Sequence, residues 1–123
     1  MKSFRTLELA IKLYQSCEQL KLPYHLKNQI LRSSSSVALN LSEGRAKNSK
    51  KDQLRFFHIA MGSLRETMTG LILANYQKHR IFKLADITMT EIFGSQPASC
   101  SALQLSADKI VHLSSLHTFF FKL

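Results

Sequence analysis

Between Leu54 and Leu71 the chain keeps one unbroken rhythm. Leu54, Phe57, Met61, Leu64, Met68 and Leu71 follow one another at steps of 3, 4, 3, 4 and 3 residues. Only a helix lines up side chains at that spacing, so the pattern demands an amphipathic α-helix. Phe56, Ala60, Ser63, Ile72 and Leu73 widen the apolar arc beyond a single seam. A helix covered on more than one side belongs inside a bundle or an oligomer. Ser49, with Asp52 three residues on, fits a capping box with a shortened acid and marks the start. Asn75 is next in phase, and the rhythm predicts a helix running to about His79.

The rest of the first three quarters follows the same grammar. Leu7, Ala10, Tyr14 and Cys17 predict a helix from Thr6 to about Leu20, flanked by Leu9, Leu13 and Leu20. Thr6 suits its N-cap and Glu8 its first turn. Pro23 interrupts, because the residue before a proline is driven out of the helical region. A second helix is expected over Tyr24 to Arg45 on the stripe Leu26, Ile30, Ser34, Val37 and Leu41, with Gly44 as a left-handed stop. Ser33 to Ser36 suit either a flexible linker or a helix made thin for a close neighbour; the stripe continues through them in phase, which favours the helix. Further on, Leu84 to Phe93 reads as a short helix, and Gly94, Ser95, Gln96 and Pro97 are breakers. Leu103, Ala107, Ile110, Val111, Leu113 and Leu116 return to helical phase, and Phe119 to Phe121 form an apolar end. No β alternation and no internal repeat occurs.

The 123 residues, 45% of them hydrophobic, suit a single domain over 1–123. Charge is the unusual property. The net value is +9, yet residues 1–85 hold 15 Lys+Arg against 5 Asp+Glu. Such a block is the footprint of a polyanion binder, or a device for solubility. Residues 1–10 carry Lys2, Arg5 and Glu8 and do not read as a signal peptide, and no run suits a membrane span. A cytoplasmic protein with no membrane partner is expected. Cys17 and Cys100 fit no CxxC pattern and are expected as free thiols.

Tests for chemistry return little. His25, His58, His79, His112 and His117 form no i,i+4 pair and have no cysteine at zinc-ligand spacing. Phosphate-binding glycine loops and a GxSxG elbow are missing. No catalytic residue, metal or cofactor is expected, and the chain does not read as an enzyme. Glu43 and Glu66 fall on different helices and would be the carboxylates of a metal-dependent nuclease, although capping or salt-bridging explains each more simply.

The segment Arg45-Ala-Lys47-Asn-Ser-Lys50-Lys51 says more. It joins the second and third helices and carries four cations without an acid. Lys47, Lys51, Arg55 and His58 share a face if the third helix starts early. Lys50 and Lys51 fall in its first turn, where helix polarity attracts anions and phosphate is the natural ligand. Arg45, Lys47, Lys50, Lys51 and Arg55 are therefore the main candidate nucleic-acid contacts, with Lys12, Lys21, Lys27 and Arg32 outlying. A solvated basic loop is the simpler alternative. Asn40, Glu43, Ser63 and Glu66 are polar residues in otherwise apolar phase, and a hydrogen-bonded cluster between the second and third helices would satisfy all four.

Ser36-Val-Ala-Leu-Asn40-Leu-Ser-Glu43-Gly44-Arg45, followed by Phe56-Phe57-His-Ile-Ala60-Met-Gly62-Ser63-Leu64-Arg-Glu66, resembles the bacterial four-helix-bundle proteins of the 23S rRNA intervening-sequence family. Leu26-Lys-Asn-Gln29-Ile-Leu-Arg32 fits the same pattern. The resemblance covers about residues 4–82 and makes Ser36, Asn40, Glu43, Gly44, Gly62, Ser63 and Glu66 motif positions of structural character. It implies an antiparallel up-and-down bundle that assembles as a homopentamer, without catalytic residues. A related branch is the accessory protein of diversity-generating retroelements, a basic pentameric barrel associated with nucleic acid and a reverse transcriptase. The departure lies in 84–123, where Gly94 and Pro97 would shorten, break or displace the fourth helix, for example to about 99–117.

The expectation is thus an all-α, antiparallel up-and-down four-helix bundle. It would be a homo-oligomer that binds structured RNA or DNA through phosphates. Alternatives are a protein-interaction scaffold, for example for a reverse transcriptase, and, more remotely, an rRNA-processing nuclease.

Overall fold

The computed structural model describes residues 2–94. Four helices follow in chain order: α1 (Lys2–Glu18), α2 (Tyr24–Arg45), α3 (Lys50–Leu73) and α4 (Arg80–Gly94). Each packs on the next, and α4 returns to pack on α1. Short links leave consecutive helices antiparallel, so the result is a closed up-and-down four-helix bundle. Leu13, Cys17, Ile30, Val37, Leu64, Leu71, Ile81 and Ile92 fill its centre.

α2 and α3 form the most extensive pair, and small residues explain why. Gly44 is buried at the end of α2, where an added Cβ would meet Phe56 Cβ at 3.0 Å and the Phe57 ring at 3.2 Å. Gly70 plays the same part near the end of α3, with Ile30 Cγ1 2.6 Å from its Cβ position. Between these two glycines, Ser33 Oγ lies 2.8 Å from Thr67 Oγ1, and Ser36 Oγ 2.8 Å from Ser63 Oγ. The serine run is therefore helical, and it lets the two backbones approach while pairing every hydroxyl. Gly44 is not the left-handed stop expected of it: no glycine described here has positive φ. α2 ends one residue later with Ala46 in helical geometry, and close packing is what calls for the glycine.

Three other boundaries differ from the sequence expectation. α1 begins at Lys2, so Thr6 is no N-cap; it lies inside the helix and is buried. α3 starts as expected, with the Ser49 hydroxyl accepting from Asp52 N–H at 3.1 Å, but it stops at Leu73 rather than near His79. Asn75 turns left-handed (φ 62°) instead of continuing in phase. Its N–H donates to Ile72 O at 3.0 Å, and Tyr76 N–H donates to Leu71 O at 2.8 Å. That is a Schellman motif with asparagine in the place most often taken by glycine. The freed residues start α4 early, at Arg80 rather than Leu84. Ile81, Phe82, Ala85, Thr88, Met89 and Ile92 form its buried stripe, so the fourth helix lies ahead of Pro97. The helical phase read over 99–117 and the Phe119–Phe121 end lie outside the described residues.

Two contacts fix which loops share an end. Lys27 Nζ donates to the last carbonyl of α1, Glu18 O, at 3.1 Å and to Leu20 O in the α1–α2 link at 3.2 Å. Tyr76 OH donates to Lys21 O at 3.3 Å, tying the α3–α4 link to the α1–α2 link. The α2–α3 link is therefore at the opposite end, where Arg5 of α1 faces Glu91 of α4 at 3.8 Å.

Candidate nucleic-acid interface

The α2–α3 link is held from both sides. Lys47 N–H donates to Gly44 O at 3.2 Å, and Gln53 Nε2 donates to Lys47 O at 2.8 Å. This brings Arg45, Lys47, Lys50, Lys51 and Arg55 to one end of the bundle, all exposed except the half-buried Lys47. The five are not equivalent. Lys47 Nζ pairs with Glu43 at 2.7 Å and lies 5.2 Å from the centre of the Phe56 ring. Its charge is largely committed to closing the link. Lys50, Lys51 and Arg55 pair with no acid among the described residues. Asp52, the acid nearest them in sequence, accepts from the Ser49 hydroxyl at 2.8 Å. The first turn of α3 thus presents two lysines, with Arg55 one turn on, around backbone N–H groups that favour an anion.

The outlying cations do not join this group. Arg32 is 13 residues before Arg45 on α2, so about 20 Å away along the axis. Lys21 and Lys27 are at the opposite end, and Lys27 already caps α1. Lys12 is exposed on α1. Lys47 also leaves the face shared by Lys51, Arg55 and His58, because α3 begins only at Lys50. Two sets of cations escaped the sequence reading. Arg65 continues the exposed row of α3, a signal present in the spacing. Lys78, Arg80 and Lys83 make the far end basic as well, which became visible only once α4 was seen to start at Arg80.

The motif polar residues divide into three groups rather than one cluster. Asn40 Nδ2 donates to Ser36 O at 2.8 Å and Ser36 Oγ at 3.1 Å, and Ser36 meets Ser63. Glu66 accepts from Gln29 across the outer edge of α2 and α3. Glu43 pairs with Lys47 at the end of α2. Glu43 and Glu66 thus serve separate contacts. Among the described residues, no group of three or more His, Cys, Asp and Glu side chains is placed to hold a metal ion. No described helix is long and apolar enough to cross a membrane. Cys17 is a free, fully buried thiol; burial pushes its pKa up to about 11, while a hydrogen bond with Ser34 pulls the other way.

Fold and surface together define a small all-α bundle with a closed core, a hydroxyl-lined α2–α3 seam and a cationic end. The chain belongs to the 23S rRNA-intervening sequence protein family, whose model matches residues 2–86. The match stops within α4. Comparison with curated proteins and with solved structures gave no match.

Proposed function

We propose that this protein is a non-catalytic basic bundle that binds structured RNA, or another nucleic acid, through phosphate contacts at the α2–α3 end. One observation carries this reading: Lys50, Lys51 and Arg55 stand exposed around a helix N-terminus and form no ion pair among the described residues. The family's name, which refers to an intervening sequence in 23S rRNA, agrees with such a ligand. Arg45 and Lys47 border the surface, and Lys12 and Arg32 add to its field.

Assembly into a ring, a homopentamer by family resemblance, belongs to the same proposal. Ile11 and Leu39 are exposed, Leu39 by 69%. The pairing of Cys17 with Ser34 puts these two at nearly one height on α1 and α2. Aliphatic groups so aligned suit burial against another copy. A ring would multiply weak phosphate contacts through avidity.

Affinity for a labelled RNA hairpin, measured against salt, tests the reading. Each phosphate neutralised on a duplex contributes about −0.9 to the slope of log K against log salt. Changing Lys50, Lys51 and Arg55 together to Gln should flatten the slope and weaken binding; an unchanged slope refutes the proposal. Light scattering on the same samples reports the ring. A scaffold for an acidic protein surface, such as that of a reverse transcriptase, is the second reading, favoured by the same unpaired cations. Recovery of a stable protein partner after nuclease treatment would select it.

A further inference from the structure

The unpaired cations do not stop at the first turn of α3. Lys51, Arg55, His58, Gly62 and Arg65 recur at steps of 4, 3, 4 and 3, and all five are exposed. They form a straight row about 21 Å long on the outward side of the helix. Arg65, like Lys51 and Arg55, pairs with no acid among the described residues. The acids beside the row, Asp52 and Glu66, lie at its margin and are hydrogen-bonded by the neutral side chains of Ser49 and Gln29.

Gly62 is the unusual member. Glycine is the least favoured residue in a helix interior apart from proline. The two other glycines within α2 and α3 have a packing reason, since Gly44 meets Phe56 and Phe57, and Gly70 meets Ile30. At Gly62 an added Cβ would meet nothing within 4 Å. Nothing in the bundle explains it. What it leaves is a notch in the outer surface of α3, with Arg55, His58 and Ile59 before it and Arg65 and Glu66 after it.

We propose that a sugar-phosphate backbone lies along this row, approaching the α3 backbone most closely at Gly62, with Arg65 as its far contact. This rests on the nucleic-acid reading above and extends it from one end of the bundle to a helix face. Charge complementarity selects the occupant. Two copies meeting through this face would set Lys51, Arg55 and Arg65 against their own kind, with only Asp52 and Glu66 at its margin to set against them. A polyanion meets cations at both sides of the notch and gains from the missing side chain between them.

The test uses the full chain and a fluorescein-labelled RNA hairpin, with anisotropy read at several salt concentrations and mass by light scattering. Gly62→Gln fills the notch without adding charge. It should bind at least fivefold more weakly while mass is unchanged and the thermal midpoint is equal or higher. Arg65→Gln should weaken binding several-fold and reduce the salt slope by about one. Lys78→Gln, at the far end, should change affinity less than twofold. If Gly62→Gln and Arg65→Gln bind like the parent while the Lys50/Lys51/Arg55 variant weakens, this inference is wrong and the end surface alone stands. Should that variant also bind normally, the nucleic-acid reading falls with it. A change in mass for Gly62→Gln, at any affinity, makes the face a contact between copies and overturns the inference.

Discussion

Gly70→Ala should destabilise this protein although alanine is the better helix former. The gain is intrinsic: alanine is favoured over glycine in a helix interior by about 0.8–1 kcal/mol. The loss is steric. A Cβ on residue 70 would lie 2.6 Å from Ile30 Cγ1 and 3.2 Å from Ile30 Cδ1. Cγ1 is not the loose end of a long chain. It branches from the Cβ of a residue only 1% exposed, held by the core around it. Forcing a methyl group into such a site costs about 1–3 kcal/mol. The net loss expected is about 1 kcal/mol. Gly62→Ala is the internal reference, since it makes the same exchange on the same helix with nothing within 4 Å of the new methyl. It should gain up to about 1 kcal/mol. The two variants should therefore separate by about 2 kcal/mol, on the order of 10 °C in midpoint for a domain of this size. Urea unfolding followed by far-UV circular dichroism, at one fixed protein concentration, measures this if the m-values agree. Finding Gly70→Ala as stable as Gly62→Ala would refute the packing account of the α2–α3 seam.

Other consequences follow from the same contacts. Ser49→Ala removes the hydroxyl that accepts from Asp52 N–H, and should lower stability by about 1 kcal/mol in the same assay. Thr67→Val breaks the buried bond to Ser33 and should cost about 1 kcal/mol; adding Ser33→Ala should cost little more, because the pair is then lost together. In a Cys100→Ser background, Cys17 should resist alkylation at pH 8 until denaturant opens the bundle, and fast labelling of the native chain would contradict its burial. Burial holds the folded-state pKa of Cys17 at about 11, above the ordinary thiol value of 9.0. Its contribution is therefore complete below pH 9 and is lost as pH rises toward 11. The loss amounts to about 3 kcal/mol. Cys17→Ala should show a shallower fall in stability over that interval than the parent.

Much of the architecture was legible because helical periodicity is local. The core rows of α2 and α3 could be read from spacing alone, and Ser49 with Asp52 marked the start of α3 through a contact three residues long. The motif linking Ser36, Asn40, Gly44 and Ser63 identified the family and, with it, the bundle. The candidate site was legible as a cluster of cations, Arg45, Lys47, Lys50, Lys51 and Arg55, at the junction of α2 and α3. Counting cations along the chain gave a basic block over residues 1–85, without distinguishing committed charges from available ones.

Tertiary contacts made that distinction. Glu43 and Phe56 occupy Lys47, the carbonyls of Glu18 and Leu20 occupy Lys27, and Lys50, Lys51, Arg55 and Arg65 form no ion pair among the described residues. They also decided what the special residues are for. Gly44 and Gly70 admit a neighbouring side chain, the serines pair across a seam, and Asn75 ends a helix whose apolar rhythm gave no reason to stop. The physical reason is range. A period of 3.6 residues is set by atoms a few positions apart, so the sequence alone determined that these segments are helices and which side of each is apolar. What a glycine or a serine does on such a helix depends on atoms that folding brings in from a neighbouring helix, as Phe56 is brought to Gly44, Ser63 to Ser36 and Gly70 to Ile30.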